Sequence, residues 1–166
     1  SASVIESDLY NEFVTTGDQI AMHYEARNFN QAMRLIMSLA DKANQYIDEK
    51  KPWQMSKVPG SEQEVHEVTS LAINLFRVLM TYLKPVLPEM AKQVELFLNV
   101  DELVWSEIQS PLTNHQINKF KPLMTRIEDE QIAKIVESSK QSVGTEKEIS
   151  KKEENNMIQI DDFAKI

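Results

Sequence analysis

The stretch Ala40-Asp41-Lys42-Ala43-Asn44-Gln45-Tyr46-Ile47-Asp48-Glu49-Lys50-Lys51-Pro52-Trp53 decides how this chain folds. Ala40, Ala43, Tyr46 and Ile47 recur at helical spacing, with Asp41, Lys42, Asp48 and Glu49 turned outward, so it reads as the end of an amphipathic helix. Lys50 and Lys51 fall in the last turn, where cations suit the negative end of the helix dipole. Pro52 stops the helix, because it has no N–H to donate and its ring clashes with the turn before it. Trp53 is then the first large residue beyond the tip. An indole there serves either as a plug for the protein's own core or as a flat surface for stacking.

Upstream, Leu9, Phe13, Ile20 and Tyr24 share one helical stripe with Ala21, after a polar start at Ser1 to Ser7 that is expected to fray. Asn28 and Asn30 frame a turn and offer caps. The helix ending at Lys51 carries Phe29, Ala32, Met33, Ile36, Leu39, Ala40, Ala43 and Ile47 on one face. Downstream, residues 52 to 61 read as a loop, and Ser61 with Glu64 as a capping box opening the longest helix. Its stripe runs through Val65, Val68, Leu71, Ala72, Leu75, Phe76, Leu79, Tyr82, Leu83 and Val86, until Pro85 and Pro88 kink or break it. A shorter helix follows through Met90, Ala91, Val94, Phe97 and Leu98. From Asn99 to Pro122 periodicity fails, leaving loop or short turns around Trp105 and Pro111. Lys121 to Ile127 reads as extended, and Glu128 to Lys140 as helical. The expected fold is all-α, an antiparallel helical bundle over residues 1–140. Residues 141–156 are charged and free of aromatics, a disordered linker in composition, and apolar residues return over 157–166.

Bulk properties exclude several classes. A chain of 166 residues with 42% apolar composition has enough for one core, and no run is long enough to span a bilayer. No secretory leader opens it, so a cytoplasmic location is expected. There is no cysteine, which rules out disulfides and thiolate metal sites. His23, His66 and His115 show no ligand spacing, and no nucleophilic triad stands out, so no metal and no catalytic residue is expected. A formal charge of −8 argues against a protein that grips nucleic acid by bulk electrostatics. Asp41 to Lys57, with four lysines against three acids, is locally less acidic.

The run Ala43 to Tyr46 through Lys51-Pro52-Trp53 is similar to the anticodon-binding domain of bacterial methionyl-tRNA synthetases. Ile73-Asn74-Leu75-Phe76-Arg77-Val78-Leu79-Met80-Thr81-Tyr82-Leu83-Lys84-Pro85-Val86-Leu87-Pro88 resembles the same domain, as does Phe120-Lys121-Pro122-Leu123-Met124-Thr125-Arg126-Ile127-Glu128. The resemblance runs in register over nearly the whole chain. It implies recognition of the CAU anticodon of tRNA(Met), with Trp53 stacking on bases, Pro52 fixing its exit angle, and Lys50 and Lys51 meeting phosphate. It also implies a parent ligase that joins methionine to its tRNA using ATP, in a catalytic domain that carries the family's zinc-binding insert. None of that catalytic chemistry is found in these residues, and no cofactor is expected here. Residues 157–166 resemble the opening of the tRNA-binding β-barrel appended to many of these enzymes, a domain through which the parent would dimerise. The family's other base readers, an Asn and an Arg, sit on a helix upstream of Ser1. The isolated piece is therefore expected to bind no tighter than about micromolar.

From composition alone, a Trp after a helix-ending Pro more often packs on its own protein; stacking on an unpaired base is worth about 1–3 kcal/mol. The family motif around Trp53 reverses that balance. Lys50 and Lys51 are solvated helix-end cations on one reading and phosphate contacts on the other. Tyr46 is expected in the core with its hydroxyl at the rim, and Asn44 as a brace for the loop. Gln54-Met55-Ser56-Lys57 looks like a synthetase nucleotide-binding loop but has no sheet around it, and reads as chance. A competing function is a helical protein–protein interaction module without RNA binding, which the acidic charge favours and the helix-tip motif disfavours.

Overall fold

A computed structural model describes residues 6–123 together with Val4, Ile132 and Val136. Two compact units divide the chain, Ser1–Leu123 and Met124–Ile166. In the second, Ile132 and Val136 are helical. The rest of the expectations for residues 124–166, including the extended run, the linker and the barrel start, lie outside the described residues.

The first unit is built from α1 (Asp8–Glu25), α2 (Phe29–Lys50), the single turn α3 (Pro52–Met55), α4 (Glu62–Leu83) and α5 (Pro88–Leu98). A 3-10 turn, Trp105–Glu107, interrupts the irregular segment that follows. No strand occurs among the described residues, so the architecture is the expected all-α bundle. α1, α2 and α4 pack on one another, and α5 packs on α4. α4 is the central element because it buries two faces. Leu71, Leu75, Val78 and Tyr82 meet Phe13, Ile20, Ala32, Ile36 and Leu39 in the larger core. Met80 meets Ala91, Val94, Leu98 and Leu103 in the smaller one. Fully burying such an aliphatic side chain stabilises by about 1.5–3 kcal/mol, so these two clusters hold the bundle.

Several local expectations are corrected. Within the stretch expected to fray, Val4 is helical and fully buried, and Ser7 caps α1 by accepting from the Tyr10 amide at 3.3 Å. Asn28 is the N-cap residue of α2 but forms no side-chain cap. Ser61 and Glu64 form no capping box, because the Ser61 hydroxyl turns back to the carbonyls of Met55 (2.5 Å) and Val58 (2.7 Å). Those two acceptors belong to the preceding turn, and donating to them turns the short side chain away from the helix N–H groups it would have to accept from. Phe29 and Val86, assigned to apolar stripes, are exposed, Val86 because α4 has already ended at Leu83. Pro88 starts α5 at its first position, where a missing N–H is harmless.

Candidate nucleic-acid interface

The C-terminal tip of α2 is made by one residue. Lys51 adopts the left-handed conformation (φ 48°, ψ 58°) while its N–H still bonds to the Ile47 carbonyl at 2.8 Å. The chain turns sharply there, and Pro52 takes the first position of α3. The Lys51 carbonyl accepts from the amides of Gln54 (2.7 Å) and Met55 (3.1 Å), and the Pro52 carbonyl from Ser56 (2.9 Å). The expected loop over 52–61 thus begins as a hydrogen-bonded helical turn, a correction that matters because Trp53 sits on it. The Ser56 hydroxyl donates to the Trp53 carbonyl at 3.3 Å, and Ser61 holds Met55 from the other side. α3 in turn packs against α4. The indole is carried by an ordered platform.

Trp53 is 50% exposed and belongs to neither core. Trp105 shows the opposite behaviour. Its ring lies 4.8 Å from that of Tyr82 and 6.3 Å from that of Tyr24, packed against the larger core. Of the two tryptophans, Trp105 packs against the core and Trp53 does not. Around Trp53, Lys50 and Lys51 are exposed and Pro52 is half-buried, so the four residues follow one another along the tip. Lys50 also borders a pocket of about 310 Å³ with Tyr46, Glu64, Glu67 and Val68. Burial first, and then the Glu67 charge, push the Tyr46 phenol up from its ordinary value. Tyr46 packs at the edge of the core as expected, whereas Asn44 is exposed.

Sequence reasoning missed two features of this tip. One is the left-handed Lys51: the proline after it signals that the helix ends there, but points to extended backbone and not to positive φ. The other is the acidic pair Glu64 and Glu67, which α4 brings beside Lys50 only in the folded state. The chemistry available is stacking on an exposed π-face beside two cations. Of the histidines, His115 shares a 2.6 Å hydrogen bond with the Leu98 carbonyl, and no metal-binding cluster occurs among the described residues. No helix among them is long and apolar enough to cross a membrane.

Known proteins resemble this chain closely. The family model for the anticodon binding domain of methionyl tRNA ligase matches residues 1–143. The methionine–tRNA ligase of Vesicomyosocius okutanii is 68% identical over 140 residues, covering 84% of this chain and 26% of that protein. That of Psychrobacter cryohalolentis is 56% identical, over 83% of this chain and 20% of its own length. That of Psychrobacter sp. (strain PRwf-1) is 47% identical over 100% of this chain and 26% of its length. The chain therefore spans about a quarter or less of the curated relatives it matches. Helical architecture, helix-tip motif and these matches agree: the chain belongs to the family of methionyl-tRNA ligase anticodon-binding domains.

Proposed function

We propose that the tip of α2 recognises the CAU anticodon of tRNA(Met) for a methionine–tRNA ligase. In this reading Trp53 stacks on an anticodon base, Pro52 sets the angle at which it leaves the helix, and Lys50 and Lys51 are the cations nearest the phosphates. The observation that carries it is the half-exposed indole on a hydrogen-bonded turn, packed in neither core. The parent enzyme would form methionyl-tRNA from methionine, ATP and tRNA in the cytoplasm, with ATP and zinc held by its catalytic domain. Residues 1–140 would be the anticodon-binding domain, inactive alone and docked on that catalytic domain. Residues 141–156 would be a linker, and 157–166 the start of a tRNA-binding, dimer-forming barrel.

The test is an NMR titration of a CAU anticodon stem-loop into the chain, with a changed-anticodon stem-loop and Trp53→Ala as controls. Shifts centred on the Trp53 indole are expected with CAU alone and are expected to vanish in the variant. Removing the stacking surface should weaken binding by about 1–3 kcal/mol, roughly 5- to 150-fold. Shifts that persist in Trp53→Ala, or that appear equally with the changed anticodon, overturn the assignment. Binding of a protein partner at this tip, insensitive to salt, would instead favour the interaction module, since phosphate contacts weaken steeply as salt is added.

A further inference from the structure

Among the described residues, four other than glycine have positive φ: Arg27 (59°), Lys51 (48°), Asn99 (55°) and Asn114 (51°). Asparagine tolerates this region because its short polar side chain bonds locally, whereas lysine has no such help. Lys51 is also the one that precedes a proline, a position that favours extended backbone. Its conformation thus runs against two local preferences. Arg27 and Asn99 take the same conformation at the ends of α1 and α5, where it closes a helix, but neither is followed by a second helical turn at once.

The geometry says what the conformation does at this junction. Lys51 is at once the C-cap of α2 and the N-cap of α3, so one φ/ψ pair sets the angle between the long helix and the turn that carries Trp53. Downstream of it everything is tied: Gln54, Met55 and Ser56 by backbone bonds, Trp53 through Ser56, and Met55 through Ser61. An extended Lys51 would swing that tied unit away as a whole. Meanwhile the Lys51 ammonium makes no hydrogen bond or ion pair among the described residues.

We propose a refinement of that reading: of the two tip lysines Lys50 alone meets phosphate, and Lys51 is a positioning residue, contributing to anticodon binding through its left-handed backbone, which aims the Trp53 indole, and not through its ammonium group. Only the RNA part of this rests on the anticodon reading; the aim of the indole belongs to the free protein. Lys51→Gly and Lys51→Ala remove the charge and leave the left-handed conformation accessible, Gly most readily. Lys51→Val removes the same charge but adds β-branching, for which positive φ is a true outlier.

Each variant is read twice, by the Trp53 indole N–H resonance in the free chain and by the affinity and salt dependence of the CAU stem-loop. Gly and Ala should keep the wild-type indole shift and bind within about twofold, with the same salt slope. Val should move the indole resonance and bind about tenfold more weakly or worse, as for a displaced stacking surface, again with the slope unchanged. Equal weakening in all three, with the slope of log affinity against log salt falling by about 0.7 for one lost single-strand phosphate contact, would overturn the proposal. So would a Val variant with unmoved indole and unchanged affinity. If circular dichroism shows that Val has lost helix, Gly and Ala decide alone: retention supports the proposal, and loss with a reduced slope sinks it. If wild type binds the stem-loop too weakly to measure, the indole shifts of the free chain decide the hinge, and the affinity arm is read with the same variants in a full-length methionine–tRNA ligase, where silence sinks the anticodon reading.

Discussion

Gly17 illustrates how a single atom can reverse a general rule. In the middle of an exposed helix, Gly→Ala gains about 1 kcal/mol. Here Gly17 is buried within α1, and an added Cβ would lie 2.5 Å from the Tyr82 hydroxyl and 3.3 Å from the Ile108 Cδ1. The hydroxyl cannot step aside cheaply, because Tyr82 is fully buried and donates to the Phe13 carbonyl at 2.8 Å. Gly17→Ala is therefore expected to destabilise by about 1–3 kcal/mol, the usual cost of overpacking, read as a fall in thermal midpoint. In a Tyr82→Phe background the clashing oxygen is gone, and the same substitution should become close to neutral. If Gly17→Ala stabilises the wild-type background, the close approach of these helices is wrong. None of this was legible in the sequence, where Gly17 falls between Phe13 and Ile20 with nothing to mark it. The partner that constrains it lies on α4.

At the scale of elements, the join between α4 and α5 is held by a charge cluster. The Lys84 ammonium donates to Glu95 (2.9 Å), to Glu102 (2.7 Å) and to the Leu103 carbonyl (3.0 Å), while the Leu103 amide donates to Glu95 (2.8 Å). Burial alone would raise the Glu95 carboxyl, but the Leu103 amide and then the Lys84 ammonium more than offset it, leaving it below the ordinary range. The Glu102 hydrogen bond does most to raise Lys84 above its ordinary value, against a smaller opposing cost of burial. A depressed carboxylate contributes stability that is complete above its unfolded value and lost as pH falls through the folded one. A raised lysine contributes stability that is complete below its unfolded value and lost as pH rises through the folded one. Between about pH 5 and pH 10 both contributions should be present. Thermal melts taken down through pH 4 should show the wild type losing stability more steeply than Glu95→Gln, whose neutral amide cannot titrate; parallel curves would refute the cluster's role. The helices that this cluster joins were legible, because burial imposes a 3.6-residue period on sequence. Their caps were not: Ser61 reads as a capping residue, but its short side chain found nearer carbonyls in the turn before it.

For the whole molecule, the question is how a segment without periodicity becomes part of the bundle. Residues 99–123 contain one 3-10 turn, yet Leu103 and Ile108 are buried in the two cores. The helices supply the order by reaching out to this segment's backbone. Asn74 pairs with both the amide (2.7 Å) and the carbonyl (3.2 Å) of Leu112, Tyr10 donates to the Ile108 carbonyl (2.7 Å), and Arg77 donates to those of Glu107 (3.1 Å) and Ser110 (2.6 Å). The signal present in the sequence was polar residues set among the apolar ones of α4, and periodicity alone cannot read it. Arg77→Met tests the arrangement, since it keeps most of the side-chain volume and removes the guanidinium. The freed carbonyls belong to exposed residues and can take water, and a buried Nε without a partner is removed at the same time. The global cost should therefore stay near about 1–2 kcal/mol, below that of breaking a buried ion pair. Local consequences should be larger: amide hydrogen exchange across Trp105–Leu112 should quicken, while that of α2 and the Trp53 indole shift stay as in wild type. Such a result would make the segment a strap fastened to a bundle that stands without it, with the α2 tip untouched. Faster exchange throughout α2 would show instead that the strap and the three packed helices open as one cooperative unit.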